Sequence, residues 1–363
     1  MTWAKALAWR LGRHLLDRSA TASVVDVVER LGAVPGWPDP TAELTVGARR
    51  PTGRNGDVLR AHAAGQLVKA YAFRGATHYM TPRAAGDYLA LRASSRMWEL
   101  RSWVSYYGLT PEDWPRFREY VRDALAAGPL TRSELAAALG RSSRYRHLRG
   151  HVVDGNDTLL KPLTWQGDMG LGPAREGEAT FLRLDAVPGW GGMPDLDAAG
   201  PRVVEAYFRT HGPARAERLH AWLGPGLGVK RKAITGWLDG LADRLATVAI
   251  DGEEALVLIE DLDALRTSRP STAVRLLPGR DPWVMGPGTD DPHVVPPDRR
   301  EPVSRSANLV VARGVVAGTW SIRDELLRIT WFAGSGRVPR ATLAAECARL
   351  SSFLDRPLGL SLE

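Results

Sequence analysis

Two clusters of basic side chains are the residues best suited to a binding function. Lysine and arginine neutralise phosphates and release counterions, so each cluster is suited to phosphate contacts. A solvated helix face is the ordinary alternative for a run of charge. The predicted nucleic-acid-binding residues are Arg141, Arg144, Arg146, Arg149, Lys230, Arg231 and Lys232.

The segment at residues 31–44 has an unusual composition for a connection between two helix patterns. It reads LGAVPGWPDPTAEL and holds three prolines, two glycines and Trp37, with neither helix nor strand periodicity. Rigid loops of this kind are common places for a functional site. The ordinary alternative is that Trp37 fills the core.

Signatures of the common catalytic and metal sites are not recognisable in the sequence. There is no phosphate-binding glycine-rich loop after a strand, no nucleophile elbow and no His-Glu-x-x-His motif. His78 and His151 lie far apart and show no metal-ligand spacing. We therefore expect no metal and no cofactor.

Helices followed by a hairpin recur along the chain and predict winged helices. Turns at Arg74-Gly75, Glu176-Gly177 and Asp251-Gly252 separate apolar strand patterns. The predicted fold class is α+β, with three tandem winged-helix domains and a C-terminal β-rich segment. The predicted boundaries are 1–126 for the first winged helix and its helical extension, 127–192 for the second, 193–265 for the third and 266–363 for the C-terminal strands and closing helix.

Helix periodicity and capping residues predict individual helices within these segments. Apolar spacing predicts one helix over residues 4–18 and a last helix over residues 340–354. Ser23 or Thr21 can cap a helix that ends before Gly32. Thr131 and Glu134 have the spacing of a capping box.

The composition is that of a globular protein with a basic balance. Of 363 residues 44% are apolar and 25% charged, and the net charge of +7 with a pI of 9.8 favours polyanionic partners. The single cysteine, Cys347, excludes an internal disulfide and indicates a reducing compartment. No signal peptide and no membrane span are expected, which predicts a cytoplasmic protein.

Six segments, in this order along the chain, resemble the winged-helix DNA glycosylases of the AlkZ and YcaQ type. They are VVERLG at 27–32, RGATHY at 74–79, GPLTRSEL at 128–135, KPLTWQGD at 161–168, LLPGRDPWVMG at 276–286 and VAGTW at 316–320. The family removes bulky alkyl adducts and interstrand crosslinks from DNA. The resemblance implies tandem winged helices in a C-shape around a basic DNA channel.

The resemblance also implies a position for the catalytic motif, Gln-x-Gln or Gln-x-Asp, in the loop after the second helix. The register fixed by Ala42-Glu43-Leu44 places it on Pro35-Gly36-Trp37. Neither Pro35 nor Trp37 has a side-chain oxygen that can hold a water molecule. A second departure is Arg280, where the family usually has phenylalanine.

Three hypotheses follow from this departure. The preferred one is a non-catalytic reader of alkylated or drug-modified duplex DNA, in which Trp37 stacks on a base or adduct. The second is an active glycosylase that uses Asp39 or Glu43 as the general base. The third is a protein of genotoxin resistance or biosynthesis that binds an aromatic small molecule in a cleft. A monomer is expected in each case.

The predicted motif and cleft residues are Pro35, Gly36, Trp37, Arg74, Thr77, His78, Arg280 and Asp281. Structural alternatives stay open for several of them. Arg74 can instead cap its hairpin, His78 can bond to neighbouring backbone, and Asp281 before Pro282 can set a turn.

Overall fold

The computed structural model describes residues 1–18, 21–155 and 157–363, which form an α+β chain. The α-helices are α1 (Trp3–Arg13), α2 (Val24–Leu31), α3 (Asp39–Gly47), α4 (Asp57–Ala63), α5 (Pro82–Ala93), α6 (Arg101–Tyr107), α7 (Trp114–Ala124), α8 (Arg132–Arg141), α9 (Arg149–Val153), α10 (Lys161–Trp165), α11 (Leu196–His211), α12 (Ala216–Leu227), α13 (Arg231–Asp239), α14 (Leu262–Thr267), α15 (Pro282–Met285), α16 (Arg300–Ser304) and α17 (Arg340–Leu354). The strands are β1 (Val34–Pro35), β2 (Val68–Tyr71), β3 (Thr77–Met80), β4 (Leu130–Thr131), β5 (Met169–Arg175), β6 (Glu178–Arg183), β7 (Leu245–Ile250), β8 (Glu253–Leu258), β9 (Val274–Leu277), β10 (Asn308–Ala312), β11 (Val315–Arg323), β12 (Leu326–Trp331) and β13 (Gly359–Leu362).

These elements group into two compact units. The first consists of Met1–Val58, Val204–Trp222 and Thr235–Glu363. The second consists of Leu59–Val203 and Leu223–Ile234. The units group residues differently from the four predicted segments, whose boundaries stay a prediction about winged-helix modules.

The first unit is built on a five-stranded sheet in the order β13-β12-β11-β10-β9. Successive side chains of a strand point to opposite faces, so Leu276 and Leu277 of β9 enter different cores. Leu277 packs in a cluster with Leu7 and Leu11 of α1, whereas Leu276 packs with Leu343 of α17. Helices therefore cover both faces of this sheet.

A separate hairpin, β7 and β8, belongs to the same unit. Asp251 and Gly252 have φ values of 46° and 87°. Positive φ at both central positions is the type I′ geometry that suits the twist of a hairpin. The backbone N–H of Trp3 donates to the Asp251 carboxylate at 2.8 Å, so the chain start is held at this turn.

The second unit holds strands in the order β3-β2-β5-β6-β4. Lys69 of β2 pairs with Leu171 of β5, which joins two hairpins into one sheet. Sequence patterns assigned these hairpins to separate winged helices. Helices α5 and α10 pack together in this unit, with the Arg92 guanidinium 4.1 Å from the centroid of the Trp165 ring.

The predicted helix over residues 4–18 is too long. Helix α1 ends at Arg13, because Leu15 has a φ of 57°, which an α-helix does not allow. That turn lets Leu16 become fully buried. Leucine spacing did not reveal the end, since both Leu15 and Leu16 are apolar.

Capping residues predicted other helices correctly. Ser23, rather than Thr21, caps α2 and forms a capping box with Asp26. Thr131 and Glu134 form the predicted capping box of α8. The last helix has the predicted bounds, Arg340–Leu354. Among the described residues, no helix combines the length and the apolar character needed to span a membrane.

Candidate nucleic-acid interface

The loop between α2 and α3 presents Trp37 to solvent. Helix α2 ends at Leu31, and Gly32 reverses the chain with a φ of 76°. Val34 is fully buried and anchors the loop, whereas the Trp37 side chain is 69% exposed. The alternative that Trp37 fills the core is therefore wrong. An indole this exposed is available to stack on a flat ligand.

The two candidate carboxylates near this loop differ in access. Asp39 opens α3 and is half-buried. Glu43, one turn further along the helix, is only 3% exposed, and its Oε2 accepts from the backbone N–H of Val58 at 3.2 Å. A general base must reach a solvent or substrate atom. Asp39 meets that condition in this structure better than Glu43.

Arg280 and Asp281 are adjacent in sequence but have opposite environments. Arg280 is exposed, and its Nε donates to the Ser306 hydroxyl at 2.9 Å. Asp281 is fully buried, and its carboxylate accepts from the Arg49 guanidinium at 2.7 and 2.8 Å. It also caps α15 through the Trp283 backbone N–H. The suggested pocket role of Asp281 does not fit this interior position, and the turn-setting alternative does.

Arg49 connects that turn to the end of α3. It also donates to the carbonyls of Thr45 and His14 at 2.8 and 3.0 Å. This set of bonds fixes the last turn of the helix that begins beside Trp37. The sequence offers no signal for the pair, because Arg49 and Asp281 lie 232 residues apart.

A buried histidine pair lies next to this ion pair in the same unit. His14 Nε2 and His211 Nδ1 are 3.2 Å apart. Burial, together with the charges of the nearby Arg10 and Arg49 guanidinium groups, lowers the pKa of His211 to about 3. Burial, followed by the charge of His211, also lowers the pKa of His14. Both imidazoles are therefore neutral, with one donating to the other.

The site residues on the hairpin of β2 and β3 are mostly interior. Arg74 at the turn is exposed, with a φ of 53°. Thr77 and His78 are buried, and His78 Nδ1 lies 3.0 Å from the Ala76 carbonyl. Burial lowers the pKa of His78 to about 4. The neutral imidazole bonds to neighbouring backbone, as its structural alternative anticipated.

The basic segment of the second unit, residues 141–153, runs from the end of α8 through α9. Arg144 forms an ion pair with Asp113. A backbone bond from Thr110, followed by the Arg144 bond, lowers the pKa of the Asp113 carboxyl. Arg141, Arg146 and Arg149 are exposed and have no ion pair within the part of the chain that the structure describes.

The second basic cluster lies at the start of α13. Lys230, Arg231 and Lys232 are exposed, and the first turn of this helix has no acidic residue. Cations at a helix N-terminus face its positive end, which is unfavourable until an anion arrives. The cluster is therefore suited to a phosphate. No group of three or more His, Cys, Asp or Glu side chains that could hold a metal occurs among residues 1–18, 21–155 and 157–363.

Known proteins match this chain along nearly its whole length. A family model described as DNA glycosylase AlkZ-like matches residues 28–353. An interstrand DNA cross-link repair glycosylase of Streptomyces sahachiroi is 35% identical, with 96% of both chains covered. The solved structure of Streptomyces sahachiroi DNA glycosylase AlkZ matches with a TM-score of 0.94 and 33% identity over 100% of both chains. This chain belongs to the AlkZ-like DNA glycosylase family.

Family membership confirms the resemblance drawn from the six sequence segments and the mixed α+β fold. The placement of the catalytic motif on Pro35-Gly36-Trp37 stays a prediction. In this AlkZ-like chain that position offers an exposed indole and, two residues later, one accessible carboxylate. These groups can stack on a base and accept a proton, respectively.

Proposed function

We propose that this AlkZ-like protein binds duplex DNA and recognises alkylated or drug-modified bases. The observation that supports this most is the 69% exposure of Trp37 on an anchored loop of a DNA glycosylase relative. Tryptophan is usually highly buried in folded proteins. Stacking of a base on an aromatic ring contributes about 1–3 kcal/mol. Such a contact would bury the apolar surface of Trp37 that is exposed in the free protein.

Exposed cations supply the electrostatic part of this proposal. Arg141, Arg146 and Arg149 lie in one segment and the Lys230-Arg231-Lys232 cluster in another, all exposed. Phosphate contacts fix a protein on DNA without reading sequence. A lesion reader needs this combination, because the lesion occurs in any sequence context. We expect the logarithm of the binding constant to fall steeply with the logarithm of salt concentration.

The finer architecture belongs to the same proposal. Each predicted winged helix has helices followed by a hairpin: β2 and β3 in the first, β5 and β6 in the second, β7 and β8 in the third. A basic channel, a monomeric state and a cytoplasmic location are further parts of this proposal.

The test compares binding to one duplex with and without an alkylated purine. Fluorescence anisotropy should show tighter binding to the modified duplex than to the unmodified one. W37A should remove most of that preference by lowering the affinity for the modified duplex about 5- to 100-fold. W37F keeps a ring and should retain part of it. Equal preference in W37A and the wild type would contradict the role of Trp37. No binding to either duplex would contradict the function itself.

A second candidate function is base excision, favoured by the access of Asp39. In that reaction the Asp39 carboxylate accepts a proton from water as the water oxygen attacks the sugar carbon. The glycosidic bond breaks, and a cationic alkylated base leaves as a neutral one. A negative carboxylate also stabilises the positive sugar of the transition state.

Base release from the alkylated duplex separates the two candidates. If Asp39 is the general base, D39N should lower the release rate by about 100-fold or more. E43Q, which changes a buried carboxylate, is the matched variant and should retain release if it folds. If the wild type releases no base, base excision is excluded and the DNA-reader proposal remains. If D39N releases base as fast as the wild type, Asp39 is not the general base.

A further inference from the structure

The second unit contains an aromatic cluster beside its basic segment. The rings of Tyr106 and Tyr107, at the end of α6, lie edge to face with centroids 4.8 Å apart. The His151 ring of α9 is 5.1 Å from Tyr106 and 5.0 Å from Tyr107. The three rings therefore form one group that joins two helices distant in sequence. Trp103 extends the group, 5.3 Å from Tyr107.

The members of this group differ in exposure. Tyr107 is 5% exposed, and His151 is half-buried, but Tyr106 is 62% exposed. His147 Nε2 lies 3.2 Å from the Tyr107 carbonyl, which fixes the end of α6 against the basic segment. The Tyr106 ring is thus supported from below by two rings while most of its surface faces solvent. A tyrosine that served only to fill the core would be buried, because burial of its ring stabilises the folded protein.

Positive charge lies in the segment that carries the His151 ring. Arg146 precedes His147, and Arg149 opens the helix that contains His151. Both arginines are exposed and have no ion pair among the described residues, and residues 141–153 contain no acidic side chain. Aromatic rings beside exposed cations are the combination used to bind unpaired nucleotides: the rings stack on bases and the cations contact phosphates.

We propose that Tyr106, supported by Tyr107 and His151, is a stacking site for an unpaired base of the bound DNA. The phosphates next to that base contact Arg146 and Arg149. In a fully paired duplex only the edges of the bases are exposed, because their faces are stacked on one another. This site therefore takes a base that has left the stack or lies in a single-stranded gap. The inference rests on the proposed DNA binding, and it concerns residues separate from the Trp37 loop.

The experiment measures binding of the whole protein to a single-nucleotide bulged duplex, to its fully paired counterpart and to the single strand. We expect Y106A to lose about 5- to 100-fold in affinity for the bulged duplex and little for the paired one. Y106F keeps the ring and should bind nearly as the wild type does. A matching loss on the single strand would show that any unpaired base is accepted; a loss confined to the bulge would require a duplex neighbour.

Salt dependence separates stacking from charge. Y106A should leave the slope of log affinity against log salt unchanged, whereas R149A should reduce its magnitude by about 1. Circular dichroism of Y106A should match the wild type, since this side chain is mostly exposed. Equal affinity of Y106A and the wild type for both the bulged duplex and the single strand would overturn this inference alone. A wild-type protein that binds none of the three DNAs would overturn the proposed function as well.

Discussion

Arg49 in the first unit and Arg149 in the second have the same guanidinium group in opposite surroundings. Arg49 is fully buried, and two of its nitrogens donate to the Asp281 carboxylate. Arg149 is exposed and has no ion pair among residues 1–18, 21–155 and 157–363. The first arginine stabilises the fold, whereas the charge of the second remains available to a partner. The net charge of +7 does not distinguish these two roles.

The same contrast occurs within the basic segment. Arg144 forms an ion pair with Asp113, whereas Arg141, Arg146 and Arg149 are not paired among the described residues. The number of arginines in a sequence cluster is therefore an upper limit on the positive charge available to DNA. The three unpaired residues and the paired Arg144 form a natural set of variants and control.

The largest expected effect concerns the buried pair. D281N removes the negative charge and leaves the Arg49 guanidinium buried without a counter-charge, which should lower the free energy of unfolding by about 3–5 kcal/mol. Urea unfolding followed by tryptophan fluorescence measures the change. D113N breaks the exposed pair with Arg144 and should shift the midpoint far less. Similar losses in D281N and D113N would show that burial does not separate these two ion pairs.

The next effect concerns the unpaired arginines. A variant with R141A, R146A and R149A together should lose on the order of 100-fold in affinity for duplex DNA at about 0.1 M salt, because each phosphate contact releases a counterion. The salt slope should fall in magnitude by about 3, and the stability should stay near that of the wild type. Anisotropy titrations at several salt concentrations measure both quantities.

R144A is the control for that variant. Its guanidinium already has a partner, so its loss should change the salt slope less than R149A does. If R144A reduces the slope as much as R149A, the pairing with Asp113 does not withhold charge from DNA, and the contrast within the segment is wrong.

Local signals in the sequence predicted the elements but not the distant contacts between them. Asp251 and Gly252 fix their turn through their own backbone preferences, and Thr131 finds its capping partner three residues away. Such interactions are visible at short range.

The partnership of Arg49 with Asp281 depends instead on how the whole unit packs. So does the exposure of Trp37, since the same proline-rich loop could have turned the indole inward. Periodicity also failed at the end of α1, where burial of Leu16 outweighed helix continuation. Residue types therefore indicated which chemistry was possible, and packing decided which groups can perform it.

Histidines extend the contrast between buried and exposed groups to pH. Burial lowers the pKa of His211 from 6.5 to about 3 and that of His78 to about 4. A folded state that binds fewer protons than the unfolded one is stabilised at a pH above the unfolded pKa. That stability is lost as pH falls below about 6.5, because these histidines then bind protons in the unfolded chain but stay unprotonated while buried in the folded state.

Each such histidine should add about 1.4 kcal/mol per pH unit to the slope of stability against pH between about 5 and 6. H211Q in the first unit and H78Q in the second should each reduce the wild-type slope by about that amount, whatever their stability at neutral pH. Urea unfolding at several pH values gives the slopes. A wild-type slope that persists in both variants would mean that these imidazoles accept protons in the folded state, and that their burial does not keep them neutral.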